Sequence, residues 1–530
     1  MKCIRDVLER DLLFKCDEHA PGVALRVLQA GEEVLTLTRG LARLEGEVAT
    51  TARTAFDAGS IAKTVTGICI AMLEAEGKLA LNAGIRDFLP ELPEHLAGVT
   101  LEHLLRHESG LHDYSTMLYF MSGWHPHEPP TSQQVLETLG RAPGPKWEPG
   151  SRYEYADTNY FLLGRVVERV ADEALGTFAM RRVFEPLGMI NSFMTDCAPA
   201  DGADVAVGYT PYPIRFQSPH SFRSSWERGW HPVVHRYRHT GAEGFRTCAA
   251  DLAVLGQELL HPSVVDEKTM SRVAAPSRVR NDGLGYGYGL NAGTYRGLQF
   301  LGHDGMIQGF TASLSVFPEY DLVIACLTNR EDLGAWGFRD CVLRELLGVA
   351  PSPGDSHLLC LSGPWSEPRA GRFLDIETGS FLELSRDDGD LQASVNGERP
   401  QPATYEACAC EGPEVVDLLL GGKAQAFMPF VESASKLKLE EYAGKYECAE
   451  LQTVFHVEAT QAGIRLTNAD RGHPSMDLDY TPTIPDFFWS HDPHPGISQL
   501  EFAREQGRVV AFRYRDYDGD GREAFLFVRS

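Results

Sequence analysis

The stretch FDAGSIAKTVTGICIAML, Phe56 to Leu73, carries the sharpest chemical signal in the chain. Ser60 and Lys63 lie three apart at the start of an apolar helical run, so their side chains share one face. A serine hydroxyl is a poor nucleophile until a base removes its proton. A lysine amine one turn away is such a base once burial favours its neutral form. The start of a helix also turns amides and the positive end of its dipole toward Ser60, which suits an oxyanion. Alone, S-x-x-K is unspecific, since Ser433 and Lys436 match it within a linker.

Two further segments gain meaning beside this one. In SRYEYADTNYFLLGRVVE, Ser151 to Glu168, Tyr155 precedes a turn and a helix expected over Asn159 to Val170. A phenol near a serine–lysine pair can relay a proton. In LGHDGMIQGF, Leu301 to Phe310, His303-Asp304-Gly305 lies between apolar strands, and Gly305 allows close backbone approach to a ligand.

These three motifs, in this order and about 90 and 150 residues apart, resemble those of the penicillin-recognising serine hydrolases. That group comprises class C β-lactamases, DD-peptidases, related esterases and D-aminopeptidases. Other segments fit the resemblance. LLRHESGLHDY (Leu104 to Tyr114) looks like the family's H-x-S-G-L segment. WEPGSRYEYADTNYFLLG (Trp147 to Gly164), GAEGFRTCAADLA (Gly241 to Ala253) and CLTN (Cys326 to Asn329) each resemble a family element. The resemblance covers about residues 20 to 348. It implies that Ser60 is acylated and that Lys63 and Tyr155 share the base and acid work. It also implies an oxyanion hole made by the amides of Ser60 and Met306, with Gly305 lining the site, and neither metal nor organic cofactor.

The chain departs from that pattern twice. The β-lactamases and DD-peptidases carry Lys-Thr-Gly at the third motif, where the lysine grips a carboxylate. His303 is near neutral at pH 7 and holds anions less well. The histidine version resembles the D-aminopeptidases and some related peptidases and esterases. Asp157 stands where the family usually has the Asn of Tyr-x-Asn, a substrate-contacting position. An ionised Asp157 beside Lys63 would favour the ammonium and weaken the base. Protonation of Asp157, its turning away, or an alkaline optimum would each reconcile the two.

The remainder of the chain sharpens the resemblance. After the linker Gly348 to Gly354, short alternating runs separated by Gly and Asp predict hairpin-rich β structure, with a second junction near Glu432 to Lys436. GPWSEPRAGRFLDIETGSFLELS (Gly363 to Ser385) and EEYAGKYECAEL (Glu440 to Leu451) resemble the starts of the two C-terminal barrels of serine D-aminopeptidases. The expected architecture is an α/β (α+β) β-lactamase/DD-peptidase-like catalytic domain over 1–350, then two antiparallel β-barrel domains over 355–432 and 436–530. The last barrel is expected to be lipocalin-like, with a loop toward the active site. In MDLDYTPTIPDFFW (Met476 to Trp489), Asp477 is the best-placed acceptor for a substrate ammonium, with Asp479 close by.

Composition bounds the rest. With 530 residues, 43% hydrophobic and 23% charged, the chain is globular and longer than one domain. No run approaches the roughly 18 to 20 apolar residues of a membrane helix. The charged N-terminus MKCIRDVLERDLLFKC looks like an amphipathic helix with Ile4, Val7, Leu8 and Leu12 on one face, and lacks a signal's apolar core. Eleven scattered cysteines fit a reducing cytoplasm. A net charge of −25 argues against nucleic acid and anionic membrane as partners. Residues 351–530 contribute −14 of it. DYDGDG (Asp516 to Gly521) lacks the carboxylate that closes a calcium loop, and reads as a hairpin turn. His220, His231, His235 and His239 form no metal template. The expectation is a cytoplasmic D-aminopeptidase-like enzyme acting on a small peptide, amide or ester. A carboxylesterase or endo-acting peptidase, or a non-catalytic penicillin-binding-like protein, are the alternatives. The oligomeric state is left open, a homodimer included.

Overall fold

The computed structural model describes residues 4–5, 7–8, 18–122, 130–142, 144–196, 204–210, 230–233, 240–280, 283–330 and 333–349 of the first part of the chain. Of the remainder it describes 359–363, 371–374, 381–387, 390–395, 401–407, 416–420, 423–429, 437–449, 451, 453–461, 463–467, 478–484, 486–490, 498–516 and 524–530. Two compact units result: Met1–Tyr119 with Trp124–Val349, and Phe120–Gly123 with Ala350–Ser530.

The first unit is built on one antiparallel sheet. Its strands are β1 (Val23–Gln29), β2 (Glu32–Arg39), β3 (Leu284–Tyr286), β4 (Asn291–Tyr295), β5 (Leu298–Ile307), β6 (Phe310–Phe317) and β7 (Leu322–Thr328). They lie in the order β3-β4-β5-β6-β7-β1-β2. The sheet's first strand in the chain thus pairs with the sheet's last, Val23 opposite Thr328. Four helices position the site: α1 (Ala62–Ala75), α2 (Asp157–Ala171), α3 (Ala249–Leu260) and α4 (Trp336–Leu347). The run LVIACLT of β7 is apolar throughout because both its faces are covered. Leu322, Ile324 and Cys326 join Phe338, Val342 and the N-terminal Ile4 and Leu8 in one core cluster. Val323 faces α3, where Gly256 comes so close that an added Cβ would lie 2.4 Å from the valine's Cγ1. Helix α1 is buried from Ala62 to Leu73, as an all-round apolar helix must be.

The second unit holds two sets of strands. Leu359–Gly363, Gly371–Leu374, Phe381–Asp387, Asp390–Val395, Gln401–Ala407, Val416–Leu420 and Lys423–Pro429 close on themselves. Leu359–Gly363 runs parallel to Gln401–Ala407, so this set is a mixed ring and not the antiparallel barrel expected. Strand direction leaves no mark in short alternating runs, which is why the sequence reading missed it. The last eight strands, from Gly444–Cys448 to Ala524–Arg529, do form a closed barrel antiparallel throughout. Its interior is filled by rings: Phe512 stacks on Phe527 at 4.7 Å, and Tyr446 and Phe502 lie 5.0 and 5.3 Å from Phe512. The strands flanking DYDGDG pair antiparallel, Arg515 opposite Ala524. Asp477 lies outside the described residues, as do Leu12, Ser433, Lys436, His220, His235 and His239. Asp479 sits in the strand Leu478–Ile484, opposite Arg465. Among the described residues, no helix is long and apolar enough to cross a membrane.

Candidate active site

The segment bearing Ser60 is held from beneath. Asp57 ends a two-residue strand and is fully buried, and its Oδ1 accepts from the Gly59 amide at 3.0 Å. Gly59 takes φ +51°, in the left-handed region that glycine enters without strain. One 3-10 turn, Gly59–Ile61, then presents Ser60 immediately before α1 begins at Ala62. Lys63 lies in the first turn of α1 and has no exposed surface. Its Nζ donates to Ser60 Oγ at 3.0 Å and to the Ala242 carbonyl at 2.9 Å. Asp157 Oδ1 lies 2.7 Å from the same nitrogen, an ionic contact. Two hydrogen bonds and one ionic contact thus hold Nζ. Asp157 is therefore not turned away from the lysine. It faces Lys63 from the first residue of α2.

Tyr155 stands on the other side of the hydroxyl. Lys63 Nζ is 4.8 Å from its ring centroid, and the phenol hydrogen-bonds the Ser60 side chain. Burial, and then the charge of Asp157, push the phenol's pKa well above its ordinary value, against the lowering effect of the Ser60 bond. The group accordingly stays a proton donor at neutral pH.

The third motif lies on β5. His303 and Gly305 project from one face and Asp304 from the other, as strand alternation requires. A Cβ at Gly305 would lie 2.0 Å from the Ala58 carbonyl oxygen, and one at Gly59 would lie 3.0 Å from the Met306 amide nitrogen. Two glycines thus let β5 and the Ser60 turn touch backbone to backbone. That contact brings the backbone of Gly59 and Ser60 beside that of Gly305 and Met306. The Met306 side chain is 61% exposed. On the far face Asp304 accepts from Ser313 Oγ at 2.6 Å and pairs with Arg339 of α4 at 3.2 Å, which anchors the strand. His303 is buried. Its Nδ1 donates to the Asp304 carbonyl at 2.5 Å, so Nε2 is the acceptor for Tyr286 Oη at 2.8 Å. Burial first, and then the charge of Lys63, bring its pKa down to about 4.

A family model described as Beta-lactamase matches residues 3–340. The chain belongs to the beta-lactamase family. It is 24% identical over 534 aligned residues to the D-aminopeptidase of Cereibacter sphaeroides, covering 96% of each chain. The octameric penicillin-binding protein homologue from Pyrococcus abyssi shares the fold at TM-score 0.57 and 19% identity, over 99% of this chain and 98% of that one. The D-amino acid amidase from Ochrobactrum anthropi SV3 shares it at TM-score 0.54 and 21% identity, over 66% of this chain and 98% of that one. This member of the beta-lactamase family is thus a serine hydrolase by descent.

The sequence motifs of the beta-lactamase family do not contain everything that converges here. Ser60, Lys63, Tyr155, Asp157, His303, Gly305 and Met306 lie close together. His107 of the LLRHESGL segment was given no role, yet its ring lies 4.3 Å from that of Tyr155 and 4.6 Å from that of Tyr286. Its Nδ1 accepts from the Ala156 amide at 3.2 Å and from Asn159 Nδ2 at 2.9 Å. Its Nε2 is buried with no hydrogen-bond partner among the described residues. Burial, and then the charges of Lys63, His303 and Arg280, hold its pKa well below the usual histidine value. Two carboxylates were also missed. Asp113 Oδ2 accepts from the Asp157 amide at 2.6 Å. Glu243 Oε1 lies 3.5 Å from Tyr114 Oη. Burial, then the charges of Asp157 and Asp57, push the Glu243 carboxyl up to about 8, with Lys63 opposing. The signal was available in GAEGF, where a glutamate interrupts a run of small residues.

Proposed function

We propose that the chain is a D-aminopeptidase-like hydrolase working through an acyl-enzyme at Ser60. The observation that carries this reading is the 3.0 Å contact between Ser60 Oγ and a fully buried Lys63 Nζ. Neutral Lys63 takes the hydroxyl proton as Oγ bonds to the substrate carbonyl carbon. The oxyanion is held by the amides of Ser60 and Met306. The bond to the leaving group breaks as Tyr155, still protonated, supplies the proton that group needs, and Lys63 restores it. Water then attacks the ester along the reverse route and returns Oγ its proton. His303, uncharged at neutral pH, offers a substrate carboxylate no cation, which disfavours penicillins and peptide C-termini. The carboxylates facing Lys63 favour a substrate with a free ammonium. A D-aminopeptidase relative covering 96% of the chain supports the same substrate class, and includes the strands after residue 350.

Hydrolysis of paired D- and L-alanine p-nitroanilides tests this reading, with Ser60→Ala as control. The expected result is a clear D preference that disappears in the variant, with turnover reduced by about 10³-fold or more. Turnover of p-nitrophenyl esters alone would replace the aminopeptidase by a carboxylesterase. No acylation of the wild-type protein would leave a binding protein of this fold.

A further inference from the structure

The segment 241–243 is pinned along α1 by two bonds. Thr66 Oγ1 donates to the Gly241 carbonyl and Lys63 Nζ to the Ala242 carbonyl, each at 2.9 Å. Gly241 takes φ +127°, and a Cβ there would lie 2.3 Å from the Tyr160 carbonyl oxygen, so the segment cannot shift outward. The Glu243 side chain therefore starts one peptide bond from the carbonyl that holds the lysine. Charged and titratable groups face it from each neighbouring element. They are Lys63 from α1, Asp157 from α2, Asp57 from the strand below, Asp113 and Tyr114 from the turn opposite, and Tyr155. Asp157 and Glu243 thus both act on one buried amine, with Asp57 and Asp113 acting on Glu243 in turn. With Asp157 already 2.7 Å from Nζ, each further ionised carboxylate would hold the lysine more firmly as an ammonium. A base needs the opposite.

Building on the reading of Ser60 and Lys63 as nucleophile and base, we propose that Glu243 is a positioning residue for that pair. As a carboxylic acid it limits the negative charge facing Lys63, and as a carboxylate it would tie Lys63 to its ammonium form and silence it as a base. Partial burial and the charges of the neighbouring Asp157 and Asp57 favour the acid at neutral pH. The same device makes Asp157 tolerable at a position facing the base. One carboxyl of the group carries the proton, and Asp157 keeps its contact with Nζ.

Two measurements test this. Infrared difference spectra of the full chain should show a protonated-carboxyl band at pH 7 that is lost around pH 8 and is absent from Glu243→Gln. In Asp157→Asn the band should titrate at lower pH, because a charge that raises the Glu243 carboxyl has been removed. A wild-type band that is missing, or one that persists in Glu243→Gln, would overturn the proposal. The second measurement is the acylation rate with p-nitrophenyl acetate between pH 6.5 and 9, with Ser60→Ala as control. The rate ratio of Glu243→Gln to wild type should rise about threefold or more across that range, since the glutamine never ionises. A ratio that is flat in an active enzyme would make Glu243 merely structural. A wild-type protein that is never acylated, but whose band titrates as stated, would sink the enzymatic reading and leave the charge-limiting role standing.

Discussion

Ser60 stands between two flanks that respond to burial in opposite ways. On the Lys63 flank carboxyl groups are gathered: a fully buried amine contacts Asp157 at 2.7 Å, with Asp57, Asp113 and Glu243 nearby. On the His303 flank charge is excluded. His107 and His303 have their pKa values lowered, and Tyr155 and Tyr286 have theirs raised, in every case chiefly by burial. Lys63, His107 and Tyr286 are all buried, so burial alone does not set the chemistry. The difference lies in partners. Carboxylates stabilise a cation, whereas rings 4.3 to 4.6 Å from His107 offer no counter-charge. The aromatic interior of the last barrel makes the point from outside the site. Its phenylalanines stack at similar separations, 4.7 Å for Phe512 on Phe527, and the Tyr446 phenol among them is likewise pushed up, to about 12, chiefly by burial.

The two flanks work on one substrate carbonyl only if the seam between them stays closed, and Gly305 is that seam. Gly305→Ala would place a Cβ 2.0 Å from the Ala58 carbonyl oxygen, a backbone atom that cannot turn aside. The Met306 amide should be displaced from the Ser60 turn. Acylation by p-nitrophenyl acetate should fall by about 10²- to 10³-fold, the usual consequence of losing one oxyanion donor. Ellipticity and the urea midpoint would show whether the fold survives. A folded variant within threefold of wild type would break the link between the glycine contact and the oxyanion hole.

This seam was largely legible in the sequence and the flanks only in part. Ser60, Lys63, Tyr155, His303 and Gly305 could be picked out because each sits in a short segment that resembles a family motif. The Gly59 turn, the α1 start and the β5 alternation are all properties of neighbouring residues. His107 and Asp113 lie in the segment Leu104 to Tyr114 and Glu243 in another, and both reach the site only through tertiary packing, at Ala156, Asp157 and Ala242. No spacing in the chain encodes that meeting. Asp157 was visible as an oddity, but its direction could not be read, since both faces of a helix start are equally available to a first residue. Likewise, the β runs after residue 350 were evident, while the parallel pairing of Leu359–Gly363 with Gln401–Ala407 was not.

The neutral flank has a signature in stability. Folded His303 takes up a proton only near pH 4, whereas the unfolded chain does so near 6.5. Between those values the unfolded state binds more protons, so stability is fully present above about pH 6.5 and drains away as pH falls toward 4. From pH 7.5 to pH 5 the loss attributable to His303 is about 2 kcal/mol. His107 acts in the same direction. Comparing urea-induced loss of Ser60 acylation capacity in wild type and His303→Asn at both pH values isolates the effect. The stability advantage of wild type should shrink by that amount at pH 5. An advantage independent of pH would mean that His303 titrates in the folded protein as it does in the unfolded chain, and the contrast between the flanks would lose its sharpest member.

The smallest effect should come from Tyr286→Phe, which asks whether the neutral flank rests on the ring or on the hydroxyl. The Tyr286 hydroxyl donates to His303 Nε2 at 2.8 Å, while its ring meets His107 at 4.6 Å and His303 at 5.6 Å. Removing the oxygen keeps the enclosure and deletes one hydrogen bond, at a cost of about 1 kcal/mol. If burial is what keeps His303 uncharged, the variant should lose that stability, retain acylation within about threefold, and show His303 ¹⁵N shifts of the same Nδ1–H tautomer at pH 7. The Asp304 carbonyl still accepts from Nδ1 at 2.5 Å and fixes which nitrogen carries the proton. Appearance of an imidazolium signal at pH 7 would instead show that the hydroxyl, by engaging the Nε2 lone pair, keeps the second proton off. The neutral flank would then depend, like the charged one, on a specific partner.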